Sequence, residues 1–275
     1  MPASRYTKII LPTRPQPDTI IAVFILQTYG AERFPGVKEA HVSFTSLLAA
    51  DETPHSLEDK GVLVIDIGGG PFDHHASREK TTASALVAGE LGVLEIPALQ
   101  KLLAYAKRDD FFGKGTISTD ALDRAFGLSG LVVNLNKRFP DDPGKVFSLV
   151  APLIEAHYVE EMRRTEELPR EFEAKMSAGE VETDTIRQGD KNLKAVILSS
   201  DNVSLPGYLR SQQGGRFDIV LQWLSSGHAN ILTRPTKRPD LRGLVRTIRM
   251  KEIEIRGEKL PDDLPSLEKP GRIEK

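Results

Sequence analysis

Short apolar runs separated by polar loops set the pattern of hydrophobic and polar positions in the first half of the chain. Residues 62–65 form a continuous, mostly β-branched run, which is typical of a strand buried on both faces in a parallel sheet. Similar runs predict strands over 6–11 and 40–44, with an apolar helix over 20–29 between them. This alternation predicts an α/β fold with a mostly parallel sheet.

The second half shows a different pattern, in which charged segments separate a few short apolar runs. The periodicity predicts helices over 97–108, 128–139, 146–168 and 241–252, and strands over 195–198, 218–224 and 229–233. A turn at Ser225-Ser226-Gly227 predicts that the last two strands form a hairpin. Because residues 169–194 are charged and punctuated by glycine, they indicate a linker.

These patterns predict four parts of the chain. We expect a larger domain over 1–168, a linker or hinge over 169–194, a small α+β domain over 195–256 and a flexible tail over 257–275. The tail prediction follows from its high content of proline and charged residues.

Composition narrows the functional classes. The chain is 39% hydrophobic and 28% charged, which is typical of a globular protein, and its net charge of −2 gives no general argument for nucleic-acid binding. It has no cysteine, which excludes disulfides, thiolate nucleophiles and cysteine-ligated zinc. Its apolar runs are shorter than the roughly 20 residues that span a bilayer, and the first one stops at Pro12. We therefore expect a cytoplasmic protein without membrane association.

A cluster of polar residues follows the apolar run 62–65. Asp66 stands at its carboxyl end, where open α/β sheets place their chemistry, and after three glycines come Asp73, His74 and His75. A carboxylate offers an oxygen ligand and an imidazole offers a nitrogen ligand, while a second carboxylate can orient the imidazoles. This mixed set predicts a site for a divalent cation such as Mn²⁺.

The order of strand, Asp66, glycine-rich turn, Asp-His-His and a helix led by Thr and Ser resembles the DHH phosphoesterase superfamily. That superfamily includes RecJ-type nucleases, family II pyrophosphatases and phosphatases of cyclic dinucleotides. The segments VIDIGGGPFDHH and TTASALVAGELG most resemble its melanocyte proliferating gene branch, which contains exonucleases of RNA. The resemblance extends from about Thr7 to Asp110 and is weak afterwards.

The resemblance implies which residues do the chemistry. It implies metal ligation by Asp18, Asp66, His74 and Asp109, with Asp110 as the alternative to Asp109. It also implies that Asp73 orients a histidine, and that His75 faces the phosphate or protonates the leaving oxygen.

The first metal motif of the superfamily, His-x-x-Pro-Asp-x-Asp, is altered in this chain. Pro17 and Asp18 match it, whereas Arg14 and Ile20 replace two expected ligands. We therefore expect a reduced site that holds one Mn²⁺ or Mg²⁺ ion, with a second ion left open. Arg14 would instead hold a phosphate as a fixed cation.

The second half weakly resembles the accessory substrate-binding domain of the superfamily. Members often carry Gly-Gly-His there, and this chain has Gly227 and His228, followed by Arg234. The resemblance implies that these three residues contact substrate, although an exposed hairpin histidine explains the pattern equally well. Arg242, Arg246 and Arg249 share one helix face, which is a solvated face unless it lies in a cleft.

Three interpretations remain. The first is a metal-dependent phosphodiesterase that acts on an RNA end, an oligonucleotide or a nucleotide. The second, suggested by Arg14 and Ile20, is a catalytically inactive module of the same fold that binds nucleotides or nucleic acid. The third is a coincidental Asp-His-His run in an ordinary α/β core, which the ordered set of candidate ligands disfavours.

The expected partner is a phosphorylated small molecule or a short single-stranded nucleic acid. The sequence leaves the oligomeric state open, and a homodimer is one of the possible states.

Overall fold

The computed structural model of the protein describes residues 6–75, 80–112 and 118–268. The chain divides into two compact units, Met1–Thr165 and Glu166–Lys275. Its strands are β1 (Lys8–Pro12), β2 (His41–Thr45), β3 (Val62–Val64), β4 (Val181–Gln188), β5 (Lys191–Ser199), β6 (Ile219–Trp223) and β7 (Ala229–Thr233). Its α-helices are α1 (Pro17–Tyr29), α2 (Pro54–Glu58), α3 (Ala83–Glu90), α4 (Gln100–Phe112), α5 (Ala121–Phe126), α6 (Leu128–Arg138), α7 (Pro143–Met162), α8 (Leu168–Ser177), α9 (Leu205–Arg210) and α10 (Arg242–Ile255).

The first unit contains a three-stranded parallel sheet in the order β2-β1-β3. Lys8 of β1 pairs with His41 of β2 on one side and with Val62 of β3 on the other. The predicted mixed α/β fold with a parallel sheet is confirmed. Because parallel strands share a direction, the residues that follow Pro12 and Val64 lie at the same edge of the sheet.

Helix α1 is the centre of the first core. Ile20, Ile21, Val23 and Leu26 are all fully buried, and α1 contacts α3, α4, α6 and α7. A helix that is apolar on all sides is stable only when its neighbours surround it. Pro17 in its first turn and a capping box between Gln16 and Thr19 fix where it begins.

The second unit contains a separate four-stranded sheet in the order β4-β5-β6-β7. β5 and β6 are parallel and connected through α9, whereas the outer pairs are antiparallel. The predicted hairpin of β6 and β7 is confirmed, with Trp223 paired with Ala229. One face of the sheet packs on helices, and its buried cluster includes Leu168, Val196, Leu205, Leu209 and Val220.

Two predicted irregular segments are regular in the structure. The predicted linker, 169–194, forms most of α8, all of β4 and the start of β5. β4 has mostly exposed side chains at the sheet edge, so it carries no apolar alternation to signal a strand. Within the predicted tail, a 3₁₀ helix, Leu264–Glu268, contacts α10, while residues 269–275 lie outside the described part.

None of the helices in the described part of the chain combines the length and the apolar character needed to cross a membrane.

Candidate metal centre

A tight loop after β3 positions the polar cluster. Asp66 has φ 61°, in the left-handed region that side chains other than glycine rarely adopt, and Gly68 and Gly69 also have positive φ. The backbone N–H of Asp66 donates to the carbonyl of Phe72 at 3.0 Å, which closes the loop. The loop therefore returns to its start, so that residues 73–75 lie beside Asp66. Strained backbone of this kind is concentrated at functional sites.

Asp66, His74 and His75 form a compact group at the end of this loop. Oδ1 of Asp66 lies 2.9 Å from Nδ1 of His74 and 3.4 Å from Nδ1 of His75. One ligand atom from each residue lies within 4.8 Å of the other two. The two imidazole rings stack, with centroids 4.7 Å apart and planes 17° apart. Their proximity gives oxygen and nitrogen ligands to one small volume.

Two atoms of this group are buried without a hydrogen bond. Oδ1 of Asp66 and Nδ1 of His74 have no hydrogen-bond partner among the described residues, although 2.9 Å separates them. Buried polar atoms in native proteins are nearly always paired, and an absent ion is one reason for an exception. The arrangement fits two ligand atoms that face a common cation.

The environment of Asp66 opposes its negative charge. The pKa of the Asp66 carboxyl is raised to about 7, chiefly by burial; the carboxyl groups of Asp18 and Asp73 contribute to the rise, and His74 and His75 oppose it. A bound cation would reverse this balance, because it favours the ionised carboxylate. A cation at this place would therefore offset an electrostatic cost that burial imposes on Asp66.

Asp73 and His75 form a complete hydrogen-bonded pair beside this group. Burial opposes the charge of Asp73, but the backbone N–H groups of His75 and Gly69, at 3.0 and 2.8 Å, hold its pKa below the ordinary value. Nδ1 of His75 lies 2.8 Å from Oδ1 of Asp73, and this hydrogen bond is the largest cause of the raised pKa of His75. The His75 side chain is 67% exposed. It is therefore better suited to donating a proton than to metal ligation.

Asp110 lies on the other side of the His74 ring. Its Oδ2 lies 3.1 Å from Nε2 of His74, which puts a carboxylate within ion-pair distance of the imidazole. The predicted helix over 97–108 ends too early, since α4 continues to Phe112. Consecutive helical residues point about 100° apart, so the two acids face different directions. Asp110 reaches His74, whereas Asp109 is buried and lines a different cleft with Tyr105 and Ser129.

Asp18 lies near the group but is used by the fold. Its Oδ2 accepts a hydrogen bond from the backbone N–H of Ala83 at 2.8 Å, and its Oδ1 accepts from the backbone N–H of Ser84 at 3.0 Å and from the Ser84 hydroxyl. Burial raises the pKa of Asp18, although the hydrogen bonds from Ser84 and Ala83 counteract this effect. Asp18 thus satisfies the amino end of α3. The structure does not place it in the group of three residues that could share an ion.

Arg14 follows the end of β1. It is exposed and lines a cleft of about 500 Å³ together with Asn136 and Lys137. Among the described residues, the ion pairs of Asp66, His74 and His75 are with one another and with Asp73 and Asp110, and none is with Arg14. The phosphate role that the resemblance implies for Arg14 therefore has no support from these contacts.

The predicted substrate residues of the second unit have local partners. Gly227, with φ 81°, forms the β6–β7 turn, and Nδ1 of His228 lies 3.4 Å from the Ser226 hydroxyl. Nε2 of His228 is buried, with no hydrogen-bond partner in the described part of the chain. Nη2 of Arg234 lies 2.9 Å from Oδ1 of Asp218, a buried carboxylate. Arg234 therefore has an ion-pair partner in its own unit, and its contact with a substrate stays a prediction.

Sequence reasoning missed two contacts that organise the site. The sequence shows two adjacent acids at 109–110, and the second of them lies beside His74 in the structure. The pattern of apolar residues gave no reason to prefer Asp110 over Asp109 as the partner of His74. The role of Ser84 had a weaker signal, the hydroxyl residues that lead α3. Both contacts join residues that are far apart in sequence, which local patterns do not report.

Comparisons with protein-family models, with curated proteins and with solved structures returned no match. Kinship with the DHH superfamily therefore stays a prediction from the quoted motifs.

Proposed function

We propose that the protein is a metal-dependent phosphoesterase in which Asp66 and His74 bind one Mn²⁺ or Mg²⁺ ion. The observation that carries the proposal is the pair of buried atoms, Oδ1 of Asp66 and Nδ1 of His74, which lie 2.9 Å apart without a hydrogen-bond partner among the described residues. A carboxylate oxygen and an imidazole nitrogen are ligands that Mn²⁺ accepts together. The Asp110 carboxylate behind His74 is the usual outer partner of a metal-bound histidine.

The metal, when bound, supplies Lewis-acid activation of a phosphoryl group and of a water molecule. The chain's own residues hold the geometry. Asp73 keeps His75 in one orientation by a hydrogen bond, and Asp110 lies beside the His74 ring, where it would orient a metal-bound imidazole. His75 is exposed, and its pKa is raised chiefly by the hydrogen bond to Asp73. It therefore donates a proton to the leaving oxygen.

The substrate class follows from the motif resemblance rather than from a described pocket. A phosphodiester such as an RNA end, an oligonucleotide or a nucleotide fits that resemblance. We assign no part to Arg14, because no ion pair among the described residues joins it to Asp66, His74 or His75. We assign none to Asp109 either, because Asp110 is the acid that lies beside His74.

The second candidate function is a binding module of the same fold without catalysis. The specific observation in its favour is the use of both Asp18 oxygens by α3. With Arg14 and Ile20 at two further motif positions, the group of Asp66, His74 and His75 provides few ligands for a second ion. A single ion cannot clamp both the attacking and the leaving oxygen, as paired metals do.

The test measures Mn²⁺ uptake and turnover of a phosphodiester panel by the wild type and by His74→Ala. The panel contains bis-p-nitrophenyl phosphate, an RNA dinucleotide and a cyclic dinucleotide. We expect His74→Ala to lose both uptake and turnover. The matched control is His157→Ala, which replaces an exposed histidine of α7 and should retain both.

Each outcome separates the candidates. Turnover that survives unchanged in His74→Ala contradicts the phosphoesterase proposal. Mn²⁺ uptake that depends on His74 without turnover of any panel member supports the binding module instead.

A further inference from the structure

A cleft of about 470 Å³ opens in the second unit beyond the carboxyl ends of β5 and β6. Its lining includes Ser199, Asp201, Trp223 and Ser225. β5 and β6 are parallel, so the segments that follow them meet at one edge of the sheet. Open α/β sheets bind ligands at such edges, outside the carboxyl ends of parallel strands.

The backbone of this cleft is held rigidly. Oε1 and Oε2 of Glu171 accept hydrogen bonds from the Ser200 hydroxyl at 2.6 Å and from Nδ2 of Asn202 at 2.7 Å. From the other side, Nε2 of the buried Gln222 donates to the carbonyls of Ser200 and Asn202 at 2.8 and 2.9 Å. The loop 200–202 is thus fixed before any ligand arrives, which lowers the entropy cost of binding.

Trp223 gives the cleft a flat apolar surface. It ends β6 beside Ser199 of β5 and is 47% exposed. Tryptophan carries a large apolar ring that proteins usually bury, so an exposed one inside a cleft suggests a stacking partner. It is also the single tryptophan of the chain, which makes its fluorescence a direct report on this cleft.

Asp201 supplies an exposed acceptor beside the tryptophan. Its Oδ1 accepts a hydrogen bond from the backbone N–H of Ser225 at 2.8 Å, and hydrogen bonds from Ser225 hold its pKa below the ordinary value. An ionised carboxylate accepts about four hydrogen bonds, so Asp201 retains capacity for a ligand hydroxyl.

The charge of the cleft disfavours an anionic ligand. Its lining carries the carboxylates of Glu171 and Asp201, and its cation, Lys175, lies 3.3 Å from Oε2 of Glu180. A phosphate would meet two negative groups and a cation that already has a partner. A neutral ligand that donates hydrogen bonds fits this surface better.

We propose that this cleft binds a neutral ring compound with a vicinal diol, which stacks its flat face on Trp223 and donates its hydroxyls to Asp201. A ribonucleoside and a free sugar share this chemistry. The proposal does not depend on the metal centre, and it holds whether or not the protein hydrolyses phosphodiesters.

The test follows the fluorescence of Trp223 in the full-length protein with EDTA present. The probes are adenosine, 2′-deoxyadenosine, ribose and glucose. We expect adenosine to cause a saturable change and 2′-deoxyadenosine to bind about tenfold more weakly, because it lacks one hydroxyl that donates to a charged acceptor. A saturable change with ribose or glucose but not with adenosine would identify a sugar as the source of the diol.

Two variants sharpen the test. Asp201→Asn should remove the preference for adenosine over 2′-deoxyadenosine, whereas Asp190→Asn, in the exposed β4–β5 turn, should leave it unchanged. His74→Ala should bind adenosine as the wild type does, which separates this cleft from the metal centre. The absence of a saturable change with all four probes, or equal affinity for adenosine and 2′-deoxyadenosine, overturns the proposal.

Discussion

The cluster of Asp66, His74 and His75 and the arginine face of α10 (Arg242, Arg246 and Arg249) are both rich in charge, yet their chemistry differs. On the arginine face each cation has a partner in its own unit. Arg242 lies 2.6 Å from Asp240, Arg246 lies 3.0 Å from Glu268, and Arg249 donates to the carbonyl of Leu267 at 2.6 Å. In the other cluster, the buried Asp66 Oδ1 and His74 Nδ1 lack hydrogen-bond partners within the described part.

The pKa shifts of the two regions show the same contrast. The hydrogen bonds from Arg242 lower the pKa of Asp240 to about 2, whereas burial raises the pKa of Asp66 to about 7. A carboxylate with its partner in place is stabilised in the charged form, and one without a partner is not. The arginine face therefore has its ionic partners in place, whereas the surroundings of the Asp66 carboxyl oppose its negative charge.

The largest effect that we expect comes from Asp66→Asn. It removes the carboxylate ligand, so the affinity for Mn²⁺ should fall by at least about 100-fold, as measured by isothermal titration calorimetry. The matched control is Asp240→Asn on the arginine face, which should leave Mn²⁺ affinity unchanged. Equal affinity in Asp66→Asn and the wild type would contradict the contrast between the two regions.

Asp18→Ala tests a buried acid whose partners are all present. It removes the acceptor of three hydrogen bonds at the amino end of α3, so the free energy of unfolding should fall by about 2–3 kcal/mol. Urea denaturation measures this change. If Asp18→Ala instead keeps the wild-type free energy of unfolding and loses Mn²⁺ binding, Asp18 is a metal ligand, and the structural role that we assign to it is contradicted.

The sequence predicted the core of each unit better than the edges. The apolar runs that became β1, β3, β5, β6 and β7 were recognisable because burial demands hydrophobic side chains. β4 was not, because an edge strand with polar, exposed side chains has the composition of a linker. The contacts of Glu268 and Leu267 with α10 were also hidden, since the tail is as charged as a disordered segment.

Some residues of the candidate site could be predicted from the sequence, and others could not. Asp66, His74 and His75 were predicted as a group because they are close in sequence and join at one strand end. The roles of Asp18 and Asp110 could be assigned only from the fold. Asp18 accepts a hydrogen bond from Ser84 at the start of α3, and Asp110 lies beside the His74 imidazole, and neither contact is visible in the sequence. Sequence patterns report the residue types but not these long-range pairs.

Asp110→Asn tests the support of His74. The change weakens the acceptor for Nε2 of His74, so the Mn²⁺ affinity should fall by about 10–100-fold, which is the usual cost of losing such a partner. Asp109→Asn is the neighbouring control and should change Mn²⁺ affinity less. The reverse order would show that Asp109 is the acid that matters to the metal.

The raised pKa of Asp66 makes metal binding depend on pH. Its carboxyl titrates at about pH 7 without metal and must be ionised to bind, so protons compete with Mn²⁺ below that pH. The affinity should rise about tenfold from pH 6 to pH 8 and level off above it. Calorimetry in buffers of different ionisation enthalpy should also detect proton release near pH 6. An affinity that does not change with pH would contradict the burial of an uncompensated carboxyl.

The smallest effect should come from the arginine face itself. Arg246→Gln breaks an ion pair with Glu268 that is partly open to solvent, so the free energy of unfolding should change by less than about 1 kcal/mol. Urea denaturation again provides the measurement. A loss of several kcal/mol would mean that this face stabilises the second unit far more than exposed ion pairs usually do.

The central claim is that Nδ1 of His74 and Oδ1 of Asp66 face a common cation. Pulsed electron paramagnetic resonance of the Mn²⁺-loaded protein tests it most directly, because it detects an imidazole nitrogen bound to the metal. We predict nitrogen modulation in the wild type that disappears in His74→Ala and persists in His75→Ala. Mn²⁺ bound without nitrogen modulation, or modulation that survives in His74→Ala, would contradict the account.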